Sequence, residues 1–163
     1  MSKKDDHYWM GKALEQAGKA ESIGEVPIGA VIVKDGAIIA RGHNLRESKQ
    51  DPSAHAEMIA IRKAAKKLGS WRLTGATLYV TLEPCTMCMG AIILSRIDRV
   101  VFGSYDPKGG AAGSLFDFSD DKRLNHSVVL TPGVRGEETS TILSSFFAKL
   151  RAQKKKEKGI PAC

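Results

Sequence analysis

Two short segments carry the side chains that could do chemistry: His55-Ala56-Glu57 and Pro84-Cys85-Thr86-Met87-Cys88. One imidazole and two thiols are a common donor set for zinc, and a site with three protein ligands leaves the fourth position to water. Cys85 and Cys88, three residues apart, project to the same side of a first helical turn, where exposed N–H groups and the helix dipole favour the thiolate. His55 and Glu57 would diverge by roughly 200° within a helix, so they converge only beyond its open end. The spacing therefore predicts two helix N-termini meeting at one zinc ion per chain, held by His55, Cys85 and Cys88. Zinc brings the ionisation of its water near neutral pH, giving a hydroxide nucleophile, and Glu57, outside the coordination sphere, fits the role of proton carrier.

Two other readings belong to the same residues. Cys-x-x-Cys also serves as a redox pair, although no thioredoxin-like pattern accompanies it here. A structural zinc site would need a fourth Cys or His, and His7, His43 and His126 are available to supply one.

The elements that must position these groups are legible from periodicity and punctuation. Asp6 to about Ala20 reads as an amphipathic helix, followed by a hairpin of Val26–Lys34 and Ala37–Ala40 around Asp35-Gly36. Asp51-Pro52-Ser53 precedes a helix with Met58, Ile61, Ala65 and Leu68 on one face, which places His55 in its first turn. Thr77–Leu82 reads as a strand and runs directly into Glu83-Pro84-Cys85. Thr86–Ser95, apolar nearly all round, reads as a short helix buried on several sides. Arg99–Gly103 and Ser127–Leu130 read as strands, and from Glu137 onward Ile142, Leu143, Phe146 and Leu150 form a helical stripe. Helices alternating with strands after an opening hairpin imply an α/β protein, a three-layer α/β/α sandwich on a mixed, roughly five-stranded central sheet. The glycine-rich Asp106–Gly113 lacks the Lys-Ser/Thr ending of a nucleotide P-loop.

The 163 residues suit one domain, taken as 1–151, followed by a basic and flexible tail at 152–163. Net charge is +7, of which the residues from Arg151 onward contribute +4. Such a tail suits phosphate backbones, and equally a merely solvated terminus. Three cysteines, two of them in one Cys-x-x-Cys, fit metal or redox use better than a secreted disulfide framework, and Cys163 reads as an incidental thiol. No signal peptide or membrane-spanning stretch is evident, which places the chain in the cytoplasm as an expectation.

His-x-Glu followed by Pro-Cys-x-x-Cys resembles the signature of the zinc nucleobase deaminases. The resemblance covers nearly the whole chain and is nearest to the bacterial branch acting on tRNA adenosine. It extends through Glu25–Val31, Gly42-His43-Asn44, Asp51–Glu57, Tyr79–Cys85, Arg99–Gly103, Asp106–Gly110 with Gly113-Ser114-Leu115, Leu124-Asn125-His126 and Phe146–Arg151. The zinc motif alone points to the superfamily, and the later stretches point to tRNA.

The resemblance implies a cytidine deaminase-like fold, zinc on His55, Cys85 and Cys88, and proton transfer by Glu57 during hydrolytic conversion of a wobble adenosine to inosine, in an arginine tRNA. It implies that Asn44 hydrogen-bonds the purine and that the backbone of Ala56 and Pro84 orients it. Taken alone, Asn44 reads as a turn residue satisfying its own backbone. Val26, Pro27 and Ile28 resemble the apolar wall of the base pocket, and by composition alone they read as core strand. Asp106 and Lys108 resemble residues that hold ribose and phosphate. Phe146, Phe147 and Arg151 would border the anticodon loop, with core packing as the alternative for either ring. A homodimer is implied by the family alone. Gly24 stands where relatives often carry a basic residue, and the ending Gly159–Cys163 matches nothing in the family. The competing enzyme reading is a deaminase of a free base or nucleoside such as guanine or cytidine. The competing non-enzymatic reading is a zinc-stabilised RNA-binding module.

Overall fold

The strands divide their side chains between two separate cores. Ala30 and Ile32 join Leu78, Val80, Val100 and Phe102 in one buried cluster, whereas Val31 and Val33 join Tyr79 and Val101 in another. Side chains alternate across a strand, so a strand apolar at every position is one covered on both faces. The computed structural model, which describes residues 4–159, shows this sandwich.

Ten elements follow in order: α1 (Asp6–Ser22), β1 (Gly29–Lys34), β2 (Ala37–His43), α2 (Arg46–Lys49), α3 (Ala56–Leu68), β3 (Thr77–Leu82), α4 (Thr86–Leu94), β4 (Arg99–Ser104), β5 (Val129–Pro132) and α5 (Gly136–Glu157). The sheet order is β2-β1-β3-β4-β5. β1 pairs antiparallel with β2 and β3, while β3, β4 and β5 run parallel. The expected mixed five-stranded sheet is therefore the observed one. α3 and α4 supply Ala56, Ala60, Met89 and Ile92 to the larger core, and α1 supplies Trp9, Met10 and Ala13 to the other.

Asp35 and Gly36, with φ of 52° and 72°, close the β1–β2 hairpin in the primed turn that matches strand twist. Gly42 on β2 faces the first turn of α3. A Cβ there would lie 2.9 Å from the Ala60 nitrogen and collide with the Ala56 carbonyl, so glycine lets α3 start directly against the sheet.

Several boundaries differ from expectation. β1 begins at Gly29. The Ile28 N–H turns back to the Val26 carbonyl at 2.8 Å, and Pro27 has no N–H to give a ladder. β5 begins at Val129, two residues later than the apolar pattern suggests. The one-turn α2 carries no apolar periodicity and leaves no signal in the sequence. α5 continues through Glu157, so residues 152–157 of the segment expected as a flexible tail are exposed helix. Cys163 and the rest of 160–163 lie outside the described residues.

Candidate metal centre and substrate cavity

His55 and Cys85 are the N-cap residues of α3 and α4, each in extended backbone conformation immediately before its helix. His55 thus sits one residue ahead of the first turn in which the sequence places it. Neither side chain caps its own helix, which leaves both free to point beyond the open end. Cys88 follows on the first turn of α4 and is fully buried. The Nδ1 atom of His55 lies 3.6 Å from the sulfur of Cys85 and 3.6 Å from that of Cys88.

These distances fit zinc. A tetrahedral ion with its usual bonds to nitrogen and sulfur separates the two donor types by roughly 3.6 Å. The same three residues form the only group with metal-ligand geometry among the described residues. His7, His43 and His126 are not part of it, and the His126 ring instead meets the Ile97 carbonyl at 2.7 Å. A four-ligand structural site is therefore not what the fold builds.

The two thiols are pushed in opposite directions. Hydrogen bonding from Cys88, with help from His55, holds the Cys85 thiol down at about 4. The neighbouring Cys85 and burial push Cys88 well above the ordinary thiol range, so its proton leaves with cation uptake. The contact with Cys85 raises His55.

Glu57, on the first turn of α3, is 4% exposed, and burial pushes its carboxyl up to about 7. A carboxyl poised near neutrality both accepts and releases protons. It shares with His55 and Cys85 a cavity of about 710 Å³. α5 contributes Leu143, Ser144, Phe147 and Arg151 to its lining.

Of the residues assigned to substrate, Val26, Ile28, Asn44, Ala56, Asp106, Lys108, Phe147 and Arg151 line this cavity. Pro27, Pro84 and Phe146 do not. Pro27 is buried behind Val26 and Ile28. Pro84 is buried too, and its carbonyl accepts the Ala111 N–H at 2.8 Å, which ties the start of α4 to the β4–β5 connection. Phe146 is half-buried on the helix stripe and meets the Phe147 ring edge-on, leaving Phe147 as the exposed partner. Asn44 satisfies neighbouring backbone groups, as a turn residue does. Its Oδ1 accepts the Arg46 N–H and its Nδ2 donates to the Val26 carbonyl, while the amide still borders the cavity.

Arg46, Leu82, Glu83 and Ser144 also line the cavity, and the sequence alone does not single them out. Glu83 is the most connected of them. Its carboxylate accepts the N–H groups of Asp106, Ala112 and Ser114 at 2.9, 2.9 and 3.0 Å and the Ser114 hydroxyl as well. Burial alone would raise its carboxyl, but these four donors outweigh it and hold the group below the ordinary range. Gly110 lies directly over that carboxylate, where any Cβ would strike it.

The family model for MafB19-like deaminases matches residues 4–151. A tRNA-specific adenosine deaminase of Bacillus subtilis is 56% identical over 150 residues, covering 92% of this chain and 93% of its own. One from Haemophilus influenzae is 54% identical over 156 residues, covering 95% and 90%. A structure solved in work on A-to-I editing by tRNA:A34 deaminases at the wobble position superposes with a TM-score of 0.80 at 46% identity, over 83% of this chain and 99% of that one. A Bacillus subtilis guanine deaminase superposes with a TM-score of 0.59 at 34% identity, over 72% and 86%. The chain belongs to the deaminase family that contains the bacterial tRNA-specific adenosine deaminases.

Proposed function

We propose that this chain is a zinc-dependent hydrolase that converts the wobble adenosine of a tRNA anticodon, in an arginine tRNA, to inosine, working in the cytoplasm as a homodimer. The observation that carries this reading is the placement of the buried Glu57 carboxyl with His55 and Cys85, two members of the His55–Cys85–Cys88 donor set, in one cavity that α5 also lines. Its relatives named for tRNA adenosine support the substrate class. Exposed Lys108 and Arg151 at the cavity suit a phosphate-bearing ligand better than a free base.

His55, Cys85 and Cys88 would hold zinc, which when bound supplies Lewis acidity and a water acidic enough to serve as nucleophile near neutral pH. The residues of the chain do the rest. Glu57 takes the proton released as the water oxygen bonds to C6 and delivers it to N1. It then carries the second proton from that oxygen to the amino group, the C6–N6 bond breaks, and ammonia leaves. Val26, Ile28 and Leu82 would give the base an apolar wall, and the second Nδ2 hydrogen of Asn44, which also lines the cavity, would donate to the purine.

The test is inosine formation at the wobble position of an arginine tRNA transcript with anticodon ACG, run beside ammonia release from guanine, cytosine and cytidine. Inosine from tRNA alone is expected. Ammonia from a free base alone would move the chain to the small-molecule branch, and silence in every assay with zinc bound would favour the RNA-binding module.

A further inference from the structure

Arg46 reaches the cavity from an element with no core-facing residue of its own. α2 is a single turn, none of its residues is buried, and it interrupts the connection between β2 and α3. Left to itself such a turn would not hold a shape. Here each of its first three N–H groups has a fixed partner. The N–H of Arg46 goes to Asn44 Oδ1 at 3.1 Å, that of Glu47 to Glu25 Oε1 at 3.0 Å and that of Ser48 to Glu25 Oε2 at 2.9 Å. Glu25 is 1% exposed and comes from the segment before β1. A buried carboxylate more than twenty residues away thus does the capping that Leu45 cannot. That carboxylate also means the turn is not itself an anion site, and any attraction for an anion must come from the Arg46 side chain.

The guanidinium is free to provide it. Its one carboxylate neighbour among the described residues is the adjacent Glu47 at 3.9 Å, with the two side chains 52% and 69% exposed. Such a pairing has little energetic weight in water. Arg46 lines the same cavity as Lys108, from the β4–β5 connection, and Arg151, from α5. Three cations thus line one cavity from three separate segments, whereas of its three acidic residues Glu57 is buried, Glu83 is saturated with donors and Asp106 accepts the Lys108 N–H at 3.1 Å.

We infer that Arg46 is a phosphate-binding residue for the RNA backbone beside the extracted base, and that Glu25 is a positioning residue that holds it there. The inference rests on the tRNA reading above. A planar guanidinium on a fixed turn suits a phosphate flanking a splayed nucleotide.

The experiment uses full-length, zinc-loaded protein carrying Glu57→Ala, so that RNA is bound and not turned over, and an anticodon stem-loop of the arginine tRNA followed by fluorescence anisotropy across salt concentrations. Adding Arg46→Ala is expected to weaken binding about three- to fivefold near physiological salt and to lower the slope of log affinity against log salt by about 0.7–0.9, the value for one phosphate contact. Arg46→Lys should restore the slope, since the charge returns. With Glu57 intact, Arg46→Ala should raise KM and leave kcat unchanged. Glu25→Gln should weaken binding on its own and add nothing in the Arg46→Ala background, an outcome that a general loss of folding would not give. Should Glu25→Gln fail to fold, the exposed Arg46 variants still decide the matter. Unchanged affinity and salt slope in Arg46→Ala would overturn the inference while leaving the tRNA reading standing, whereas absence of stem-loop binding by the parent protein would remove that reading itself.

Discussion

The Glu83 carboxylate accepts the backbone N–H of Asp106 at 2.9 Å, and that bond ties the strand entering the metal site to the segment that faces substrate. β3 ends at Leu82, one residue before Glu83, and Cys85, the N-cap residue of α4, follows two residues after it. Asp106 in turn holds the Lys108 N–H at 3.1 Å. One carboxylate therefore positions both sides of the cavity.

Glu83→Gln replaces an acceptor-only group with one that turns a donor toward donors. We expect a loss of about 2 kcal/mol, visible as a fall in Tm of roughly 4–8 °C for a chain of this size, and a rise in KM for tRNA larger than the fall in kcat. A variant with unchanged Tm and unchanged KM would show that the 106–114 segment holds its shape without Glu83.

Cys88→Ser tests the donor set. A serine oxygen is a poor replacement for thiolate sulfur, so purified protein should hold well below one zinc per chain, and the wild type should lose activity with a chelator and regain it with added zinc. Stoichiometric zinc in Cys88→Ser would mean that the ion sits elsewhere.

An acid-sensitive tether fastens α1 to the sheet. Arg99 grips Asp6 with two nitrogens, each at 2.8 Å, and the Tyr79 hydroxyl donates to the same carboxylate at 2.7 Å. Hydrogen bonding from Arg99 holds the Asp6 carboxyl below its ordinary value of 3.8. A folded pKa below the unfolded one contributes stability that is present above the unfolded value and disappears as pH falls through the folded one. Both side chains are about a third exposed, so the contribution is about 1 kcal/mol or less. Asp6→Asn should therefore melt below wild type at pH 7, with the gap closing below about pH 4. A gap that stays constant into acid would contradict this.

Truncation after Leu150 removes Arg151 and the helical lysines that follow it. All of these side chains are exposed, so Tm should move by no more than about 2 °C. Affinity for the stem-loop should fall, and its salt dependence should flatten by more than a single contact would account for. An unchanged salt slope would make this end of α5 a solvated helix and nothing more.

What is legible in the sequence and what is not separates along a physical line. The strand Thr77–Leu82 and the helix after Cys85 announce themselves because an apolar run, a proline and two cysteines are local signals. The convergence of His55 and Cys85 follows from their places at helix starts, which the spacing of Glu57 and Cys88 requires. The roles of Glu25 and Glu83 leave no such mark. Each carboxylate holds N–H groups more than twenty residues away, and no periodicity encodes a bond of that reach. The stripe on α5 likewise cannot say which ring faces in, and Phe147, not Phe146, borders the cavity. α2 has no apolar face to reveal it, being held from outside.

The central claim is that buried Glu57 moves protons for the deamination of a tRNA adenosine. The most direct measurement compares wild type with Glu57→Ala, both zinc-loaded, for inosine at the wobble position of the ACG arginine transcript, with stem-loop affinity and bound zinc measured on the same samples. The account predicts inosine from the wild type and at least a hundredfold loss in the variant, about the minimum contribution of a positioned general acid–base, with zinc content and RNA affinity retained. Turnover within a few-fold of wild type in Glu57→Ala would contradict it.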